Sequence, residues 1–438
     1  MMRQRSFLSL DLLRPAEPRL GKTSGMAFRP PLPSPLLQRV ISLILPWVMR
    51  FNLYGLSVSL DSESLRRLKT VQGQRCLLLP NHPSEWDPWV LLAISKQLGE
   101  HFYYLAAREI FDRERNIRGW LLQKMGVYSV VRGAPDKDSF RTTKNILEKN
   151  LGRLVIFVEG EISNQNDSLL PLESGVVQLA FLSLLDLYKT NGKNIEALPS
   201  LYVCPIALKY FYHPKGLTLT IERSLAALEK EIGLTHTNQS EYERIREVCV
   251  VVLKASAQQF GFPLDENVSL FEQVRNLENF MLAKLEHVVG FTEDKSFSYL
   301  DRVRRIRNRL DRIIKDIPDN LSPYEHSLHE HQKAVLQNFY RDLDRIVNFI
   351  AIYDGYLAPD MTTARMVEII RRLEKEVFGG YRLVHPRTAV AKVLEPLDIK
   401  THFPAFLEDK KKITETLVST LESNLYQAIM SAEPRNSF

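Results

Sequence analysis

Short apolar runs alternate with helix-like segments from residue 53 to about residue 225, and this alternation constrains the fold more than any other feature. Runs rich in β-branched and aromatic residues predict strands, and the segments between them have helical spacing. A chain of this kind is expected to form an α/β domain, a mostly parallel sheet with flanking helices. Strands are predicted at 54–60, 76–80, 102–107, 126–132, 154–158, 201–211 and 217–222, and helices at 62–70, 88–98, 109–124, 138–150 and 173–190.

The pattern changes after residue 231, where long helical periodicities predict a large C-terminal α-helical region. We therefore expect three parts: an N-terminal segment 1–50, an α/β domain 51–230 and a mainly helical domain 231–438. One hypothesis is that 231–380 is an insertion and that 387–431 rejoins the α/β domain. The sequence leaves open whether the helical part is a lid, a carrier-protein dock or an oligomerisation surface, and it leaves the oligomeric state unknown.

The net charge of the chain, +6, is concentrated at its N-terminus. The first fifty residues hold eight of the 58 basic groups and two of the 52 acidic groups, so the remainder holds 50 of each. Residues 51–438 therefore carry no net charge, which argues against an extended nucleic-acid-binding face. No nucleic-acid partner is expected. The three cysteines are far apart in sequence, which favours a reduced compartment.

The most hydrophobic segment, residues 36–52, lies within the cationic part of the chain and contains Arg39, Trp47 and Arg50. It is shorter than the roughly 20 apolar residues that span a bilayer, but it suits an amphipathic helix at a membrane interface. The alternative is a helix that packs on the protein core. The interfacial interpretation predicts a peripheral membrane protein on the cytoplasmic face, with anionic lipid as its partner. Either Met1 or Met26 could start translation.

The segment from Pro80 to Pro88 follows a predicted strand and precedes a predicted helix. His82 and Asp87 are five residues apart across this turn, so the carboxylate can accept the imidazole N–H and leave the other ring nitrogen free to take a proton. An alternative needs no chemistry: Asp87 followed by Pro88 is also typical of a helix N-cap with proline at the first helical position.

Four motifs in order resemble the glycerolipid acyltransferases, which include glycerol-3-phosphate and lysophosphatidic acid acyltransferases. The resemblance covers about 51–225. The motifs are Asn81-His82-x-x-x-x-Asp87, Gly126-Val127-Tyr128-Ser129-Val130-Val131-Arg132, Phe157-Val158-Glu159-Gly160-Glu161-Ile162-Ser163 and Val203-Cys204-Pro205-Ile206-Ala207.

The resemblance implies an O-acyltransferase in which His82 is the general base and Asp87 orients it. It implies that Arg132 holds the phosphate of an acceptor and that Glu159 and Gly160 shape the acceptor site. Arg108 lies near a basic position of the family and could contribute to the same site. No metal or other cofactor is implied; the acyl thioester of coenzyme A or of an acyl carrier protein serves as co-substrate, so a carrier protein is a candidate partner.

The third motif departs from the family pattern at two positions. Ile162 stands where the family has an arginine, and Glu161 stands in place of a small hydroxyl residue. These changes remove one positive charge and add one negative charge beside the expected phosphate site. The sequence therefore supports acyl transfer to a hydroxyl more strongly than it supports a particular acceptor. A non-catalytic lipid- or carrier-binding protein on the same fold is the alternative function.

Overall fold

The computed structural model describes residues 28–111, 117–235, 239–292, 294, 296–315, 322–349 and 355–433. These residues divide into two compact units. The first comprises the described residues up to Val131, Pro135–Tyr212 and those from Pro386 onward, and the second comprises Arg132–Ala134 and His213–His385. The first unit therefore ends its first pass at Tyr212, earlier than the boundary predicted at residue 230.

The first unit contains a mixed sheet whose strands are β1 (Ser57–Leu60), β2 (Arg75–Pro80), β3 (Tyr103–Ala107), β4 (Val127–Val130), β5 (Leu154–Val155), β6 (Leu201–Tyr212), β7 (Arg387–Val393) and β8 (Leu397–Asp398). The order across the sheet is β1-β7-β6-β2-β5-β3-β4, and β8 also pairs with β6. Most pairs are parallel, but β7 and β8 run antiparallel to β6. The expected α/β class, a mostly parallel sheet flanked by helices, is confirmed.

Helices of the first unit are α1 (Pro35–Trp47), which continues as a π-helical turn over Val48–Asn52, α2 (Ser62–Thr70), α3 (Asp87–Leu98), α4 (Ile117–Lys124), α5 (Lys137–Glu148), α6 (Ser174–Thr190), and, after the second unit, α13 (Phe403–Glu408) and α14 (Lys410–Met430). They cover both faces of the sheet. In β2, Cys76 and Leu78 belong to one core cluster, whereas Leu77 and Leu79 belong to the other. This alternation is the side-chain period of a strand, and it leaves β2 buried on both sides.

The second unit is helical and contains α7 (Leu217–Ile232), α8 (Glu241–Phe260), α9 (Leu270–Val288), α10 (Tyr299–Lys315), α11 (Pro323–Phe349) and α12 (Thr363–Phe378). Both α8 and α9 begin at a capping box, with Ser240 and Ser269 as the capping residues. Its interior includes a buried ion pair in which Arg302 donates to both oxygens of Glu286. Removal of either partner would leave a buried charge without its counterpart.

The strand predicted at 217–222 is wrong, because these residues begin α7. The run Leu-Thr-Leu-Thr-Ile alternates as a strand does, which explains the error. The buried residues Leu217, Ile221, Leu225 and Leu228 nevertheless recur every three or four positions, which is the helical period.

The described part of the predicted helix 109–124 contains a 3₁₀ turn (Arg108–Ile110) and α4. Residues 112–116 lie outside the described part.

The segment predicted to rejoin the α/β domain, 387–431, belongs to the first unit and contributes two strands to its sheet and two helices that flank it. β7 pairs in parallel with β1 and antiparallel with β6, where Tyr212 faces Arg387 across the ladder. α14 contributes Leu417, Leu421 and Leu425 to the second core cluster. The chain from His213 to His385 therefore leaves the first unit at one end of this strand pair and returns at the same end.

Candidate active site

β2 brings the His82 segment to the carboxyl edge of the sheet. Its last residue, Pro80, lies opposite Ile206 of β6, and the main-chain N–H of Asn81 donates to the Ile206 carbonyl at 3.3 Å. β6 then continues for six more residues beyond this point. The segment after β2 thus lies beside the projecting end of β6, at the carboxyl ends of the strands, where ligands bind in open α/β sheets.

The His82 ring is held on one nitrogen and one face. Nδ1 lies 2.7 Å from Oδ2 of Asp87, and the ring of Phe157 stacks on the imidazole with centroids 4.0 Å apart and planes 16° apart. Within the described residues no protein group forms a hydrogen bond with Nε2, and 14% of the side chain is exposed. The imidazole is therefore oriented through Nδ1, which leaves Nε2 available to accept a proton.

Asp87 is fully buried and is not the N-cap that the sequence alternative suggested. α3 begins at Asp87 itself, and its carboxylate accepts the main-chain N–H of Ser84, which precedes the helix. The Tyr210 hydroxyl donates to the other oxygen, Oδ1, at 2.5 Å. Burial raises the pKa of Asp87 above its usual range, whereas its hydrogen bonds with His82, Tyr210 and Ser84 favour the anion.

Glu159 is also fully buried, and both of its carboxylate oxygens accept main-chain N–H groups. Oε1 accepts from His82 at 2.5 Å, and Oε2 accepts from Leu170 at 2.9 Å. Burial raises the pKa of Glu159 to about 7. Gly160 follows with φ of +65°, a left-handed conformation that favours glycine, and its N–H donates to the Phe157 carbonyl. This pair thus organises the turn that supports His82.

The two predicted arginines are placed differently. Arg108 is 8% exposed and lies in the 3₁₀ turn directly after β3, in the same unit as His82. Arg132 follows β4 but is grouped with the second unit, where its carbonyl accepts a hydrogen bond from Asn308. The structure therefore brings His82, Asp87, Glu159 and Gly160 together within the first unit.

Sequence reasoning missed two residues of this site. The signal for Tyr210 was present, because it shares a strand face with Ile206 and Leu208 and lies beyond the end of β2. Arg387, which donates to the Ser84 hydroxyl at 3.0 Å, could not be found this way, because it begins β7, more than 300 residues after His82. The described part of the chain contains no group of three or more His, Cys, Asp or Glu side chains arranged to hold a metal ion.

Comparison with known proteins agrees with the fold. Residues 61–209 match the family model described as Acyltransferase, so this part of the chain is an acyltransferase domain of the glycerolipid acyltransferase family. No curated protein matches the chain. The matched region contains His82, Asp87, Arg108, Arg132, Glu159 and Gly160, and it ends one residue before Tyr210.

Proposed function

We propose that the first unit transfers a fatty acyl group from an acyl thioester to a hydroxyl of a glycerol-phosphate-type or lysolipid acceptor. The acyltransferase family match supports the reaction class. The proposal that His82 acts as the base rests on the 2.7 Å contact between His82 Nδ1 and Asp87 Oδ2. No group of the described residues forms a hydrogen bond with the other ring nitrogen, Nε2. Coenzyme A or an acyl carrier protein would supply the thioester.

In the proposed mechanism, Nε2 of His82 removes the proton of the acceptor hydroxyl as its oxygen attacks the thioester carbonyl. The carbon–sulfur bond then breaks, and the leaving thiolate accepts this proton from the imidazolium. Asp87 stabilises the imidazolium through Nδ1. A positioned base of this kind contributes about 10² to 10⁴ in rate, and alignment of the two substrates contributes much of the remainder.

Arg108 and Arg132 are proposed to bind a phosphate on the acceptor through charge-assisted hydrogen bonds. Glu161 opposes such a role, because it adds a negative charge immediately after Gly160, and Ile162 supplies no positive charge. An acceptor with less negative charge than lysophosphatidate is therefore included in the proposal. A panel of acceptors that differ only in the headgroup would separate these possibilities.

The alternative is a non-catalytic protein that binds lipid or acyl carrier protein on the same fold. The buried His82–Asp87 contact favours the enzyme, because a binding protein has no need of an oriented base. Burial of the Asp87 carboxylate costs desolvation free energy, which hydrogen bonds or a catalytic role must offset. The two functions differ in one measurable quantity, the release of free thiol from an acyl thioester.

The test is thiol release by the full-length protein with acyl-CoA or acyl carrier protein and a panel of lysolipid and glycerol-phosphate acceptors. His82→Ala should abolish acceptor-dependent release. His101→Ala is the matched control, because His101 is an exposed histidine of the same unit. Acceptor-dependent transfer that persists in His82→Ala would overturn the mechanism, and absence of transfer with every donor and acceptor would favour the binding protein.

We further propose that α1 and the π-helical turn bind an anionic membrane surface. Leu36, Val40, Leu43, Ile44, Trp47 and Phe51 are exposed. Apart from the adjacent Leu43 and Ile44, these residues recur every three or four positions, so they form one apolar stripe on the helix. The exposed Arg39 and Arg50 could meet anionic headgroups. The opposite side packs on the core through Leu45, Val48 and Met49. No helix of the described residues is both long and apolar enough to cross a bilayer.

A further inference from the structure

The carboxylate of Asp87 is supported by Tyr210, which lies just outside the matched acyltransferase residues 61–209. The Tyr210 hydroxyl donates to Oδ1 at 2.5 Å, while His82 and the Ser84 N–H share Oδ2. Tyr210 is 2% exposed. Since each oxygen has its own partners, the carboxylate cannot rotate without breaking a buried hydrogen bond. The hydrogen bond from Tyr210 to Oδ1 therefore keeps Oδ2 directed at the imidazole of His82.

Arg387 supports Tyr210 and Ser84 from the opposite strand. Its Nη2 donates to the Ser84 hydroxyl at 3.0 Å, and its guanidinium lies 4.0 Å from the ring centroid of Trp86 and 4.4 Å from that of Tyr210. Arg387 is 5% exposed, so its charge is desolvated and acts through a medium of low dielectric constant.

We propose that Tyr210 and Arg387 are positioning residues for the His82–Asp87 pair. Tyr210 fixes the carboxylate, and Arg387 fixes Tyr210 and the Ser84 turn that precedes α3. Because Arg387 begins β7, the arrangement is complete only after the chain has returned from the second unit. The proposal rests on the proposed general-base function of His82, but it concerns the orientation and proton affinity of the imidazole, which can be measured without turnover.

The groups that face the pair determine the sign of the effect. They are Glu159 at the main chain of His82, Tyr210 at Asp87 and Arg387 at Tyr210 and Ser84. Loss of the Tyr210 hydrogen bond leaves more negative charge on Asp87, which attracts the imidazolium more strongly. Loss of the Arg387 charge removes a repulsion from the imidazolium. Both changes should therefore make His82 titrate at a higher pH.

The experiment uses full-length protein labelled with ¹⁵N-histidine, in which the tautomer and titration midpoint of His82 are followed by NMR. Tyr210→Phe and Arg387→Gln should each raise the midpoint by about 0.5 pH unit or more. Arg387→Lys retains the charge and should restore most of the wild-type midpoint. His82→Ala identifies the resonance.

Tyr128→Phe is the matched control. Tyr128 is a fully buried tyrosine of the same unit, and its hydroxyl is hydrogen-bonded to Thr143 at 2.6 Å rather than to the His82–Asp87 pair. The control should leave the His82 midpoint unchanged. In the thiol-release assay, Tyr210→Phe should lower kcat about tenfold or more with KM within about twofold, and the acid limb of the pH profile should move to higher pH.

A His82 midpoint that is unchanged or lowered in both Tyr210→Phe and Arg387→Gln would overturn the proposal, as would an equal shift in Tyr128→Phe. Transfer that persists in His82→Ala would instead overturn the general-base function. The NMR result then still decides whether the two residues position the imidazole.

Discussion

The side chain of Asn81 pairs with the main chain of Leu208 through two hydrogen bonds. Nδ2 donates to the Leu208 carbonyl at 3.1 Å, and Oδ1 accepts the Leu208 N–H at 2.7 Å. A side-chain amide thus takes the place of a strand neighbour just where β2 ends. This pair extends the β2–β6 ladder by one step and holds the residue before His82.

Asn81→Ala should lower both stability and activity. Asn81 is 1% exposed, so its removal leaves the Leu208 N–H and carbonyl buried without these partners. Each unpaired group lowers the free energy of unfolding by up to about 3 kcal/mol. The free energy of unfolding, measured in urea, should fall accordingly. Asn267→Ala is the control, because that side chain makes an exposed hydrogen bond and its loss should change stability by about 0.5 kcal/mol or less. Equal losses in the two variants would contradict the role of Asn81.

Asp87→Asn should remove activity without unfolding the protein. The amide is nearly isosteric and can still accept from His82, but it lacks the charge that stabilises the imidazolium. We expect thiol release to fall by about 10² to 10⁴. Burial raises the pKa of Asp87 and therefore disfavours its anion. Replacement of the anion by a neutral amide should for this reason affect the melting temperature much less than it affects activity. A variant with full activity would exclude an electrostatic role for Asp87.

Glu159 should make stability depend on pH. Burial raises its pKa to about 7 from an ordinary 4.5, so the folded protein holds a proton there that the unfolded chain has lost. This contribution is fully present below about pH 4.5 and is lost as pH rises through about 7. Relative to Glu159→Gln, the wild type should lose on the order of 3 kcal/mol between these limits. The measurement is urea unfolding of both proteins from pH 4.5 to 8; a constant difference between them would contradict this prediction.

The C-terminal segment that contains β7 and α14 should be required for folding of the first unit. A chain that ends at residue 230 lacks β7, through which β1 joins the sheet, and α14, which packs on β6. We expect no cooperative unfolding transition by circular dichroism. In contrast, replacing 214–385 by a short glycine-containing turn should preserve folding, because Tyr212 and Arg387 are already opposite each other in an antiparallel pair. A folded, active 1–230 chain would contradict this prediction.

Membrane binding should depend on the exposed stripe of α1. Deletion of residues 1–50 is a poor test, because it would also remove Leu45, Val48 and Met49 from the core. Leu43→Glu changes a side chain that is 77% exposed and should weaken co-sedimentation with anionic liposomes while the melting temperature is retained. Leu219→Glu, an exposed leucine of α7, is the control. Equal binding of all three proteins would refute the anchor.

The α/β class and the His82–Asp87 pair could be predicted from sequence because both depend on local patterns. Strand and helix periods are set by neighbouring residues, and five residues across one turn suffice to bring the carboxylate to the imidazole. The same local reasoning failed at 217–222, where alternation over five residues imitates a strand although the longer pattern is helical. Roles of Arg108 and Arg132 in acceptor binding stay predictions.

The amino-acid sequence by itself determined the alternating elements, the cationic N-terminus and the order of the acyltransferase motifs. Only the tertiary structure decided that Tyr210 and Arg387 complete the surroundings of Asp87, and that Glu159 holds the main chain of His82. The reason is physical. Pairing of β7 with β6 depends on contacts between residues far apart along the chain, and no local period records which distant side chain a buried carboxylate will meet.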